Sequence, residues 1–132
     1  DVLVGGTGSD TYYFASGEGF DRINNASNKY ATETDSLNLS DVNEEDVWFK
    51  KTNNHLDIYL LGSSDRVRVN NWYKSVNFEL DRIDVGNASI DSSSIEQLVN
   101  AMASFGAPSG GNINLTNEEQ QQVNNAIAVA WQ

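Results

Sequence analysis

Apolar residues recur along this chain with three rhythms, and the rhythm changes near residues 40 and 90. In the middle stretch Leu37/Leu39, Val47/Phe49, Leu56/Ile58/Leu60 and Val67/Val69 alternate with polar positions. A period of two puts one face of an extended segment on a core, so each group predicts a β-strand. Ser40-Asp41-Val42-Asn43, Thr52-Asn53-Asn54 and Gly62-Ser63-Ser64-Asp65 separate them as turns. Phe78/Leu80 and Ile83/Val85 predict one more strand, whose phase slips at Asp81-Arg82 as a bulge would make it.

Beyond residue 90 the period lengthens. Ile95, Leu98, Val99 and Met102 fall at i, i+3, i+4 and i+7, with Phe105 beyond, which predicts a helix with one packed face. Ser93-Ser94-Ile95-Glu96 predicts its capping box, and Gly106-Ala107-Pro108 its end. After a flexible joint at Ser109-Gly110-Gly111-Asn112, Thr116-Asn117-Glu118-Glu119 caps a second helix. Its stripe is Val123, Ala126, Ile127, Ala130 and Trp131.

Before residue 40 apolar residues stand alone among Gly, Asp and Asn. Asp-x-apolar recurs there as Asp1-Val2-Leu3, Asp10-Thr11-Tyr12, Asp21-Arg22-Ile23 and Asp35-Ser36-Leu37, at intervals of nine, eleven and fourteen residues. Gly5, Gly6 and Gly8 precede Asp10, and Gly17 and Gly19 precede Asp21. A tight turn followed by a three-residue strand, repeated, builds a parallel solenoid. The expected fold class is therefore mainly β: a parallel β-roll capped by further β-strands, with two C-terminal α-helices. The divisions are residues 1–40, 41–90 and 91–132.

Composition bounds the function. The 132 residues make one domain, or one domain plus a tail. Hydrophobic residues are 39% and mean hydropathy is −0.49, enough for a modest core. Apolar runs such as 126–131 are too short to span a bilayer, so no membrane insertion is expected. Lys+Arg number 8 and Asp+Glu 19, a net charge of −11 that repels nucleic acid and calls for a cation. With no Cys and only His55, thiolate and multi-histidine metal sites are excluded. The start at Asp1, without Met or an apolar leader, reads as a piece of a longer protein.

One motif carries chemistry. Residues 5–13, Gly5-Gly6-Thr7-Gly8-Ser9-Asp10-Thr11-Tyr12-Tyr13, fit G-G-x-G-x-D-x-U-x, the nonapeptide of calcium-binding β-helices, at every defined position. Calcium takes six to eight oxygens at roughly 2.3–2.6 Å. Glycines let backbone carbonyls converge, Asp adds charge and oxygen, and the apolar residue anchors the turn inward. A phosphate loop is excluded, because a strand and not a helix with a Lys follows. Asp10, Asp21 and Asp35 could be misread as catalytic carboxylates, but no nucleophile–base pair is present and no enzyme is expected. Asp41, Asp46, Asp57 and Asp65 read first as turn or solvated acids. Trp48, Trp72 and Tyr73 read first as core or cap, and His55 as a strand-edge residue.

The glycine–aspartate register resembles the RTX (repeats-in-toxin, haemolysin-type) family of secreted bacterial proteins. The resemblance implies Ca2+ between turns on the same side of a β-roll, with Asp1 paired with Asp21 and Asp10 with Asp35. It implies carbonyl ligands from Gly5, Gly6, Thr7, Gly8, Gly17 and Gly19. Only one repeat is complete: Ser16 replaces a glycine in the second, and the third has none before Asp35. Residues 35–73 resemble the block that follows such repeats. Residues 95–108 and the ending Ala128-Val129-Ala130-Trp131-Gln132 resemble uncleaved type I secretion signals. The expectation is a calcium-binding C-terminal module, secreted or on the bacterial cell surface, exported by a type I secretion transporter (an ABC transporter and membrane fusion protein). The alternatives are a calcium-rigidified adhesin module that binds a sugar or protein through Trp72 and Tyr73, and an accessory domain of a secreted enzyme or toxin.

Overall fold

In the computed structural model, residues 2–4, 9–14, 17, 19–25, 34–39, 42–74, 78–86, 88–106, 108 and 112–131 are described. The early Asp-x-apolar units form short strands: β1 (Val2–Val4), β2 (Thr11–Tyr13), β3 (Phe20–Asn24) and β4 (Ser36–Leu39). Neighbours in sequence do not pair. β1 lies parallel to β3 with Leu3 beside Ile23, and β2 lies parallel to β4 with Tyr12 beside Leu37. The chain therefore deals its strands alternately into two sheets.

Later strands extend both. β5 (Val47–Thr52), β6 (His55–Leu60) and β7 (Arg66–Val69) form an antiparallel run, and β7 joins β3 in parallel. Asn53, at φ 54°, supplies the left-handed residue of the two-residue β5–β6 turn. β8 (Arg82–Val85) joins β4 in parallel and β9 (Ala88–Asp91) folds back on it. The orders are β1-β3-β7-β6-β5 and β2-β4-β8-β9. The result is mainly β with two C-terminal helices, in two open sheets.

One apolar cluster takes side chains from both sheets. Ile23, Val67, Val69, Leu56 and Ile58 come from the first, and Tyr12, Leu37, Leu39, Ile83 and Val85 from the second. Complete burial of each aliphatic side chain is worth about 1.5–3 kcal/mol. The compositional zones before and after residue 40 share this core and both sheets, since β7 and β8 complete what β3 and β4 begin.

Helix α1 (Ser92–Met102) buries Ile95, Leu98, Val99 and Met102 and packs on β5 and β9, beside the free edge of β5. The amide of Phe49 in β5 donates to Met102 Sδ at 3.3 Å, and Trp48 Nε1 donates to the Gly106 carbonyl at 3.2 Å. Helix α2 (Asn117–Ala130) packs on α1 and buries Val123 and Ala130. No helix among the described residues is long and apolar enough to cross a membrane.

Three local expectations need correcting. The cap of α1 is Asp91, whose Oδ1 accepts from the Ser94 amide at 2.9 Å, so the Ser93–Glu96 box is not the one used. Asp91 precedes the serines and can serve the first turn from extended backbone. The strand predicted over Phe78–Val85 begins only at Arg82; ahead of it the Glu79 carbonyl accepts from the Asn25 side chain at 3.1 Å and not from a neighbouring strand's amide. Strand β9 was not expected, although Gly86-Asn87 between Val85 and Ala88 is a two-residue hairpin signal, and Gly86 has φ 58°.

The second cap is as the sequence predicts. Thr116 Oγ1 accepts from the Glu119 amide at 3.1 Å while Glu119 Oε1 accepts from the Thr116 amide at 2.9 Å. Thr116→Ala is expected to lower stability by about 1 kcal/mol, read from the urea midpoint.

Candidate cation site at the strand starts

Every strand of the β2-β4-β8 ladder is entered through an aspartate: Asp10, Asp35 and Asp81. The parallel register sets Thr11, Ser36 and Arg82 side by side, and so the preceding acids too. The carboxylates of Asp35 and Asp81 each serve the rung before. Asp35 Oδ1 accepts from the Asp10 amide at 2.9 Å, and Asp81 Oδ2 accepts from the Asp35 amide at 2.8 Å. Return bonds run from the Ser36 amide to the Asp10 carbonyl at 2.9 Å and from the Asp81 amide to the Asp35 carbonyl at 2.8 Å.

Asp35 is wholly buried. Its Oδ2 accepts from Asn25 Nδ2 at 3.2 Å; Asn25 also donates to the Glu79 carbonyl at 3.1 Å and accepts from the Tyr12 hydroxyl at 2.9 Å. A carboxylate out of water needs such N–H donors to offset its desolvation.

The other sheet repeats the device at an offset. Asp65, entering β7, registers with Gly19 and not with Asp21, which lies beside Val67. Its Oδ2 accepts from the Gly17 amide at 2.7 Å and its Oδ1 from the Gly19 amide at 2.9 Å. Ser63 Oγ adds a bond to Oδ2 at 2.9 Å. Gly17 and Gly19 have φ of 92° and 81°, a left-handed geometry that turns both amides toward one anion. The Gly19 carbonyl, expected as a metal ligand, accepts from the Arg66 amide at 2.8 Å.

The amide of Gly17, above all, holds the Asp65 carboxyl below its usual value of 3.8; burial opposes this, and Gly19 and Ser63 reinforce it. A depressed folded value means that Asp65 stabilises the fold above its unfolded pKa. That contribution is lost as pH falls through the lower folded value. Asp65→Asn is accordingly expected to flatten the loss of stability below about pH 4, measured as urea midpoints from pH 5 to pH 3.

Asp10 is different. Its Oδ2 is buried and has no hydrogen-bond partner among the described residues. A solvent-excluded anionic oxygen with no donor is what a cation ligand presents before the ion arrives. Asp10 thus fits a hard cation, and Asp35 sits beside it in register. Asp21 is buried in β3 at 4% exposure. Asp1, Gly5, Gly6, Thr7 and Gly8 lie outside the described residues, as does Asp41. Among the described residues no three acidic or histidine side chains gather as a metal cluster, so further ligands would have to be backbone carbonyls or acids beyond them.

The remaining candidates resolve into structural roles. Asp57, fully buried, is paired with Arg68 at 2.7 Å. His55 Nδ1 accepts from the Asn71 amide at 3.0 Å. Trp48 and Trp72 are each 2% exposed, so Trp72 offers no face to a sugar, while Tyr73 is half-buried under Lys51 at 4.6 Å. Sequence reasoning missed the capping role of Asp65 and Asp81. The signal was present: Asp65-Arg66-Val67 and Asp81-Arg82-Ile83 continue the same Asp-x-apolar pattern. No family model matches the chain.

Proposed function

We propose that the chain is a calcium-binding, RTX-like module of a secreted bacterial protein that orders on meeting extracellular calcium, its alternating strands forming the end of a parallel β-roll. The observation that carries the reading is the coincidence of a complete nonapeptide over residues 5–13 with a buried oxygen, on that nonapeptide's aspartate, that has no partner among the described residues. Asp10 would hold the ion through Oδ2, with Asp35 behind it fixing the backbone from which Asp10 projects. When bound, calcium supplies positive charge and converging coordination.

The chain's own residues do the rest. Strands stand about 4.8 Å apart, so Asp10, Asp35 and Asp81 stack at about that spacing. At an effective dielectric constant near 20, unit charges that close repel by roughly 3 kcal/mol per adjacent pair. Amide donors offset part of this, and the remainder weights the equilibrium toward the open chain when no cation is present. Extracellular modules bind calcium with Kd of about 10⁻⁴–10⁻³ M, above the usual cytosolic level. An acidic chain of this design stays loose inside the cell and closes outside.

The second half of the reading assigns the C-terminal segment to type I export. Because α1 is core, the informative deletion is residues 112–132, which spares it. Export through the matching ABC transporter and membrane fusion protein is expected to fall severalfold or more in a secretion assay; unchanged export would refute the assignment. Circular dichroism with EDTA, then calcium, tests the binding half.

A further inference from the structure

Three arginines converge on one phenyl ring on the outer face of the five-stranded sheet. The guanidinium carbons of Arg66, Arg22 and Arg68 lie 3.9, 4.6 and 5.6 Å from the centroid of Phe20, and Arg66 also stands 5.4 Å from that of Tyr59. Register explains the gathering: Phe20 lies beside Arg66, and Arg22 beside Arg68. The intervening Asp21, Ile23, Val67 and Val69 face the interior.

Asp57 meets this group. It takes Arg68 in a two-point pair, at 2.7 and 3.0 Å, and lies 3.9 Å from Arg66. Lys50 registers opposite Asp57 and adds a further cation to the row. Four of the chain's 8 basic residues therefore occupy one face of one sheet, in a molecule with 19 acids. Among the described residues Arg22 meets no carboxylate, and it is exposed. Crowded guanidinium groups repel one another, and an oxyanion set between them relieves that repulsion through charge-assisted, geometrically matched bonds.

A hollow of about 220 Å³ adjoins the cluster, lined by Phe20, Tyr59, Arg66, Ser64 and Pro108. Ser63 and Asp65 also border it, with the Asp65 oxygens engaged by Gly17, Gly19 and Ser63. We propose that this face is a binding site for a small ligand bearing one oxyanion, a carboxylate or sulfate, held between Arg22 and Arg66 with its body in the hollow against Tyr59 and Ser64. A long polyanion is disfavoured, because the chain as a whole carries −11 and repels it. The hollow is also below the roughly 300–1,000 Å³ of drug-sized sites, which suits a single acidic unit.

The test is NMR of the arginine Nε–H groups in the full chain, in calcium-containing buffer. Sodium glucuronate and sodium sulfate are titrated separately, with sodium chloride at matched ionic strength as control. The Arg22 and Arg66 resonances are expected to shift saturably while Arg82, on the other sheet, does not. Arg22→Gln is expected to weaken binding about tenfold or more, and Arg22→Lys by less. Arg22 is exposed, so its variants should keep the core spectrum and leave the comparison interpretable. Saturation by both salts identifies an oxyanion site in general, and by glucuronate alone a site for sugar acids. Shifts that track chloride, or an affinity unchanged in Arg22→Gln, would overturn the proposal.

Discussion

Chelating calcium with EDTA is expected to abolish the near-ultraviolet circular dichroism of this protein and red-shift its tryptophan fluorescence, and calcium at about 10 mM is expected to restore both. Trp48 and Trp72 are each 2% exposed, so their emission reports directly on whether the core is closed. The expected size follows from the charges. At tenfold excess over Kd, each site adds about 1.4 kcal/mol by linkage, and each ion cancels two of the eleven net negative charges. Domain stability is typically about 5–15 kcal/mol, so a few sites decide between folded and open chains. Magnesium should not substitute at the same concentration, since it demands tight octahedral geometry and sheds water reluctantly. Asp10→Asn should raise the calcium needed for half-restoration, because it neutralises a buried carboxylate oxygen that has no hydrogen-bond partner among the described residues. A fully folded spectrum in EDTA would refute the calcium reading.

Replacing Asp35 with Ala is expected to cost about 3 kcal/mol or more even in saturating calcium, measured from the urea midpoint. The side chain is wholly buried and accepts from two donors on different parts of the chain, the Asp10 amide and Asn25 Nδ2. Its removal strands the Asp10 amide and loosens Asn25, which also ties Tyr12 to the Glu79 carbonyl. Leaving buried donors without acceptors costs about 1–3 kcal/mol each. Asp35→Asn keeps one acceptor but turns an NH2 group toward a donor, so it should recover only part of the loss. Asp84, paired with half-exposed Arg82 at 2.9 Å, is the control: Asp84→Asn should change stability by less than about 1 kcal/mol. A shift at Asp35 no larger than at Asp84 would show that the aspartate ladder does not hold the strand starts.

Much of the architecture was legible because short-range rules dominate it. Period-two alternation found β5, β6 and β7, and the spacing of Ile95, Leu98, Val99 and Met102 found α1. Thr116 and Glu119 announced their reciprocal cap because that bond pair closes within three residues. The candidate site was legible only in part. Asp10 and Asp35 belong to a visible repeat, but the function of Asp65 as the acceptor for Gly17 and Gly19 spans up to 48 residues and depends on a two-residue offset between β3 and β7. A two-residue shift keeps the same faces buried, so the apolar pattern is blind to it.

By itself the chain's residue order determined most of the strands and both helices, the inward faces of β5, β6, β7 and α1, and that glycine turns alternate with acids in a strongly negative molecule. Those properties arise from backbone preference and hydrophobic period, which act over a few residues. Only the tertiary structure decided that alternate strands pair, that β7 and β8 complete sheets begun before residue 40, and that α1 lies against the free edge of β5. It likewise set Asp35 beneath Asp10 and gathered three arginines around Phe20. Each of these is a meeting of groups far apart in sequence, and the free energy that selects it exists only once the intervening chain has closed.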